Sequence, residues 1–375
     1  MTTRRHLLAG TAAAIAAGGL LTRPARAHAV PDLDMQLWME EQEDFLINKQ
    51  VASGALRGPY DHNLQPYFSN WAAQGLAAAN TVRSREALGN YISWYLDHLN
   101  TAAEDPYGIA GTVSDWHYDA ATGEETSTGE YSSTDAGTTV PMITAFDAHR
   151  TGDVALQQLV MDNLAKYELM AKATCETTWG VRNSDGLCWA RPDSKMKYVQ
   201  DNAVVYRGLF CLAWLEKQAG RMTQYDYYTA KAEQTRKAII DILWHEDRQN
   251  WSWGRGVNLL KESDPKAAFM PDAWCQYWQV QLRILPAINR RSVASWSAFS
   301  AANPRWMHLE FDNSFPHTEM AYSAVQMGEL DNAATMLATC RERFAGNGWA
   351  LPWYHGEAGH SMRVARRLID AGWGQ

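Results

Sequence analysis

Six carboxylates, Asp61, Asp135, Asp201, Asp272, Glu319 and Glu357, stand where a polar segment runs into an apolar, helix-forming one. Each has aromatic or imidazole company: Tyr60 and His62, Tyr131, Tyr198, Trp274, His317, and Trp353 with Tyr354 and His355. Carboxyl groups converging beside aromatic rings are equipped for acid/base cleavage of a glycoside. One must carry a proton for the departing oxygen. The other must be ionised, to activate water or attack the sugar. The same residue types also have a structural use. Asp, Ser and Thr cap helices, and first-turn acids complement the helix dipole. Asp201, Asp272 and Glu357 can each be read as caps. Six such positions beside Trp and Tyr weigh toward chemistry.

Seventeen of the 375 residues are Trp. Trp71, Trp94, Trp214 and Trp278 fall inside helical segments and suit packing. Trp116, Trp179, Trp189, Trp251, Trp253, Trp274, Trp306, Trp349 and Trp353 lie in or beside long loops. Flat indoles stack on the apolar face of a sugar ring, and the indole N–H still reaches a hydroxyl. Tyr131, Trp116, Trp189, Trp274, Glu319 and Trp353 are therefore expected to hold substrate.

Helical periodicity dominates the chain. Helices are expected near 34–52, 66–80, 84–99, 135–150, 153–173, 200–218, 222–244, 272–284, 290–300, 316–327, 330–345 and 357–371. Their character alternates. The 66–80 segment has no charged residue, and 200–218 is apolar on most sides. The segment 222–244, in contrast, carries Lys231, Glu233, Arg236, Lys237 and Asp241. Helices apolar all round are buried, and those with a polar stripe lie outside. The alternation predicts an inner ring wrapped by an outer ring: an all-α, single-domain (α/α)6 toroid of six helical hairpins. An open solenoid should show a fixed repeat, and the hairpins here differ in length. Long connections (53–65, 100–134, 174–199, 245–271, 301–315, 346–356) alternate with short ones. The long ones should gather on one face, with the six carboxylates.

Composition narrows the class. The net charge is −8, against a nucleic-acid partner. Residues 1–27 read as an export signal: Arg4-Arg5, an uncharged run from Leu7 to Leu21, and an Ala25-x-Ala27 cleavage site. Its loss takes four Arg and no acid, so the mature chain, 28–375, would carry −12. The expected location is the periplasm or the exterior of a bacterium, by twin-arginine export, with no membrane attachment afterwards. The five Cys leave at least one unpaired. Cys175 and Cys188 could pair, or all five could be small buried apolar residues. No cofactor motif is present. His317-x-Glu319 and His355 with His360 supply metal-ligand types without metal-site spacing, so no metal is expected.

Three stretches resemble the six-hairpin glycosidase superfamily, in an uncharacterised bacterial branch. They are Tyr131-Ser-Ser-Thr-Asp135 running on to Gly152, Asp185-Gly-Leu-Cys-Trp-Ala-Arg-Pro-Asp193, and Tyr198-Val-Gln-Asp-Asn-Ala-Val-Val-Tyr-Arg-Gly208. The sequence departs from the pattern at Ser132, where an acid is common, and at Ala136, where Ser is common. The resemblance implies a toroid acting on a carbohydrate. It singles out Asp135 and Asp201 as catalytic residues. Asp61 is third, because the first inner helix often carries the acid in toroidal glycosidases, and Glu319 and Asp115 follow. A polysaccharide lyase using His62, His117, His317, His355 or Tyr131, and a glycan-binding toroid without catalysis, are the alternatives.

Overall fold

The computed structural model describes residues 33–58 and 60–373. The expected export segment lies outside the described residues. In chain order the helices are α1 (Met35–Lys49), α2 (Pro66–Ala79), α3 (Val82–Asp97), α4 (Asp135–Arg150), α5 (Val154–Asp162), α6 (Leu164–Cys175), α7 (Val199–Gln218), α8 (Met222–Ala238), α9 (Trp274–Gln281), α10 (Arg290–Ala302), α11 (Glu319–Gln326), α12 (Leu330–Phe344) and α13 (His355–Asp370). Helices α2, α4, α7, α9, α11 and α13 pack in succession, and α13 returns to α2. The others wrap this inner ring. Burial sorts the two layers: α2 buries ten of its fourteen residues, whereas α8 buries four of its seventeen. The architecture is the (α/α)6 toroid that the alternating pattern predicts.

Glycine closes the ring. A Cβ on Gly359 of α13 would stand 2.2 Å from the Trp71 carbonyl oxygen of α2, and one on Gly75 would stand 2.5 Å from Gly359 Cα. Gly208 of α7 plays the same part against α4, since its Cβ would lie 2.4 Å from the Thr139 carbonyl oxygen. Only a residue without a side chain allows two helix backbones this close.

One expected helix, 153–173, is two. Asn163 leaves helical geometry (φ −106°, ψ 14°) between α5 and α6. Its Nδ2 donates to the Leu159 carbonyl at 2.9 Å. A short amide side chain competes with the backbone for its own helix bonds, which explains the break.

The long connections all lead into inner helices, and small antiparallel strands stitch them together. These are β1 (Asn63–Leu64), β2 (Trp116–Tyr118), β3 (Glu125–Ser127), β4 (Lys197–Tyr198), β5 (Trp244–His245), β6 (Asn250–Trp251), β7 (Gly254–Arg255) and β8 (Leu260–Lys261). The order β1-β2-β3 ties the loop before α2 to the loop before α4, with Leu64 opposite Trp116. The order β4-β7-β8 ties the loop before α7 to the loop before α9, with Tyr198 opposite Gly254.

All five cysteines are free and buried, as packing residues. Burial pushes the Cys175, Cys211 and Cys275 thiols up to about 12, so they stay protonated. Among the described residues no helix is long and apolar enough to cross a membrane.

Candidate active site

Several outer helices open on a side-chain cap. Asp34 accepts from Gln36 N at 2.8 Å, Thr81 from Ser84 N at 3.0 Å, Asp153 from Leu156 N at 3.0 Å and Asn289 from Arg291 N at 3.0 Å. Among the described residues none of the six inner helices has such a cap. Their acids sit inside the first turn instead: Asp135 in α4, Asp201 in α7, Glu319 in α11 and Glu357 in α13. Capping their own helices therefore does not explain them, and each has to be traced to its partners.

Three of the six expected carboxylates are committed elsewhere. Asp61 is exposed and paired with Lys49 at 2.7 Å. Its hydrogen bond to Lys49 outweighs burial and holds the carboxyl below its ordinary range. It lies on the surface beside α1, apart from the buried acids. Asp272 Oδ1 accepts from Asp264 N at 2.9 Å and so pins its own loop. Glu357 reaches across to the neighbouring helix: it accepts from His317 N at 3.1 Å, Thr318 N at 2.7 Å and Thr318 Oγ1 at 2.7 Å. It thereby satisfies orphan amides at the start of α11, as a cap supplied from another helix. Burial and the nearby Glu319 nevertheless push Glu357 up to about 7.

Glu319 forms an ion-paired network. Its Oε1 accepts from Tyr277 Oη at 3.0 Å and Trp274 Nε1 at 3.3 Å, and lies 2.9 Å from His317 Nδ1. Burial opposes its charge, yet His317 outweighs burial and brings Glu319 down to about 2. His317, Glu319 and Glu357 offer ligand atoms within 4.8 Å of one another, so this is where a cation could be held. The protein's own donors already occupy Glu319 Oε1 and both oxygens of Glu357, and the arrangement serves as a hydrogen-bonded scaffold for the start of α11.

Asp135 and Asp201 are different. They occupy the first turns of adjacent inner helices. Asp135 is fully buried, with Oδ1 accepting from Ala136 N at 2.7 Å and Oδ2 lacking any partner among the described residues. Burial first, and then the charge of Asp201, raise its carboxyl well above the usual range. Asp201 is partly open, and burial alone lifts it to about 7. Two carboxyls in one low-dielectric site cannot both ionise easily, so the pair retains a proton near neutral pH. Asp115, half-buried beside β2, is likewise lifted by burial, to about 6.

The aromatic residues divide. Trp274 is half-buried and joins the Glu319 network. Trp189 is half-buried, with Lys197 Nζ 4.3 Å from its ring centroid. Trp116 stands in β2 with its edge against His98, centroids 4.8 Å apart. Tyr131 is 6% exposed, accepts from Thr134 Oγ1 at 3.3 Å, and packs against Tyr107. Trp353 belongs to the core. It is 1% exposed, donates to Gln42 of α1 at 3.1 Å, and packs between Trp38 and Phe344, which leaves no ring face for a sugar.

Tyr67 and Tyr277 are functional candidates that sequence reasoning passes over. Burial raises the Tyr67 phenol, and the charges of Asp201, Asp135 and Glu319 add to that rise. Tyr67 follows Pro66 in the first turn of α2. Its position in a first turn is the one signal that could have marked it.

No family model and no curated protein matches the chain. Solved structures do. A GH76 alpha-mannanase from Bacteroides thetaiotaomicron aligns at TM-score 0.57 and 12% identity, over 92% of this chain and 98% of that one. A rhamnosidase from Klebsiella oxytoca with rhamnose bound aligns at 0.59 and 13%, over 92% of this chain and 66% of that one. An alpha-amylase from Clostridium perfringens aligns at 0.56 and 8%, over 89% of this chain and 98% of that one. The chain thus shares its six-hairpin (α/α)6 fold with glycosidase structures.

Proposed function

We propose that the protein is a glycoside hydrolase whose reacting carboxyls are Asp135 and Asp201. The observation that carries this reading is their pairing: two first-turn acids on neighbouring inner helices, one buried with an unspent oxygen and one partly open. The protonated carboxyl gives its proton to the glycosidic oxygen as the C–O bond breaks. The ionised one faces the anomeric carbon, where it draws a proton from the attacking water or attacks directly. Tyr67, in the first turn of the adjacent inner helix α2, is the hydroxyl assigned to steady the charge that develops. Trp116, Trp189 and Trp274 supply ring faces for the sugar. Tyr131 anchors the loop that leads into Asp135, and Asp61 and Trp353 take no part in the reaction. The fold it shares with mannanase, rhamnosidase and amylase structures supports a carbohydrate substrate. Buried acids disfavour anionic sugars, so the substrate is a neutral glycan. Residues 1–27 direct the chain out of the cytoplasm, and the hydrolase works in the periplasm or beyond.

The test is release of reducing ends from a panel of neutral and acidic glycans. Asp135→Asn and Asp201→Asn should each lower turnover by about 10²-fold or more while glycan binding persists. Undiminished turnover in either variant overturns that residue's assignment. Unsaturated, ultraviolet-absorbing products would show a lyase instead.

A further inference from the structure

The toroid has a second end, and its chemistry is opposite in sign. At the short-loop face the C-terminal turns of α2, α4, α11 and α13 surround a cavity of about 360 Å3. Gln74, Asp147, Arg150, Tyr322, Arg363 and Arg367 line it. Arg366 and Asp370 also border it, but they pair with each other at 2.5 Å. Four arginines thus border the cavity against two carboxylates, Asp147 and Asp370, in a chain whose net charge is −8.

Helix C-termini attract cations, and that accounts for arginines in the last turns of α4 and α13. It does not account for Arg363. This guanidinium lies 4.2 Å from the Tyr322 ring centroid and 5.8 Å from that of Trp71, wedged beneath the aromatic floor of the ring. Its Nη1 is buried with no hydrogen-bond partner among the described residues. Gln74 is 1% exposed, and its Oε1 is also unpartnered. Buried polar atoms left unsatisfied in a polar cavity call for a partner from outside. The electrostatics agree. Burial raises the Tyr322 phenol, but Arg363, Arg367 and Arg283 outweigh it and bring the phenol below its ordinary value. The cavity is of the size of small-molecule sites.

We propose that this cavity binds an anionic small molecule of monosaccharide size, its phosphate or carboxylate held by Arg363 and Arg150 and a hydroxyl held by Gln74. Arginine suits this task because its planar fork matches both oxyanions. The site is independent of the carboxylate pair at the other end and stands whether or not the protein cleaves glycans.

Calorimetric titration and thermal melting of the intact protein test it, at constant ionic strength. The probes are a monosaccharide phosphate, a uronic acid, inorganic phosphate, a neutral monosaccharide and chloride. Saturable binding of the sugar phosphate or the uronic acid is expected, tighter than that of the neutral sugar. Binding of inorganic phosphate equal to that of the sugar phosphate would assign the site to the free ion. Arg363→Gln should weaken binding tenfold or more. Because Arg363 also packs on Trp71, the exposed Arg150→Gln is a second variant, expected to weaken binding several-fold without lowering the melting temperature. Identical responses to chloride and to every oxyanion overturn the proposal, as does unchanged affinity in both variants.

Discussion

Trp71 of α2 and Trp278 of α9 meet across the axis of the ring, with centroids 5.7 Å apart and planes at 61°. His360 of α13 adds a third ring, 5.0 Å from Trp71 and 6.3 Å from Trp278. All three are almost wholly buried. The middle of the toroid is therefore filled, with acids clustered at the long-loop end and arginines at the other. Trp71→Ala should open a void at the axis and lower stability by about 3–5 kcal/mol. Urea denaturation with an unchanged slope checks this. A loss below about 1 kcal/mol would mean that the pair does not pack the axis.

The crossing of α2 and α13 gives a second expectation. Gly359→Ala places a methyl group 2.2 Å from the Trp71 carbonyl oxygen, where only backbone can yield. The expected cost is about 3 kcal/mol or more. Gly346→Ala is the control, because a Cβ there meets nothing within 4 Å. It should be neutral to within about 1 kcal/mol. Melting temperatures of the two variants decide the point, and equal temperatures would refute the close crossing.

The layers of this fold are legible in the chain because they follow from local patterns. The uncharged run at 66–80 marks α2 as an inner helix, and the expected span 135–150 matches α4. What the chain hides depends on contacts distant in sequence. Trp353 looks like a loop residue until Gln42 and Trp38 of α1 are seen to enclose it. Glu357 can be read as a cap for its own helix, and it caps α11 instead. Asp61 precedes α2 in the chain much as the other acids open their helices, but it lies in the loop before Pro66, and Lys49, on the preceding helix, pairs with it. Asp135 and Asp201 stand out in the chain because each opens an apolar, helix-forming segment, whereas their neighbouring placement follows from the packing of α4 on α7.

The raised carboxyls of Asp135 and Asp201 make stability depend on pH in a defined direction. An acid whose folded pKa lies above its unfolded value leaves the folded state holding more protons. Stability then falls as pH rises from the unfolded value of 3.8 toward the folded value, about 7 for Asp201. Asp135→Asn removes one of the two charges. It should therefore gain stability relative to the native protein as pH rises, by about 1–3 kcal/mol at pH 8. Paired melting curves from pH 4 to 8 measure this, and parallel curves would exclude a buried, coupled pair. Loss of activity in the same variant, alongside this gain, would separate a chemical role from a structural one.

His317 and Glu319 work in the reverse sense. Burial lowers the imidazole, but Glu319 more than compensates and holds it above 6.5. The contribution of His317 is complete below 6.5 and fades as pH rises through its folded value. Glu319 is held at about 2 against an ordinary 4.5, so its contribution is complete above 4.5 and fades as pH falls toward 2. The two overlap fully between 4.5 and 6.5. His317→Gln should cost about 1–3 kcal/mol in that window, where a buried carboxylate loses its cation. Tyr277 and Trp274 still donate to Glu319 in the variant, which limits the loss. Above the folded value of His317 the native imidazole is itself neutral, and the two proteins should converge. Melting curves of both from pH 5 to 9 give the readout. A difference that stays constant across that range would show that His317 acts by packing alone, without charge.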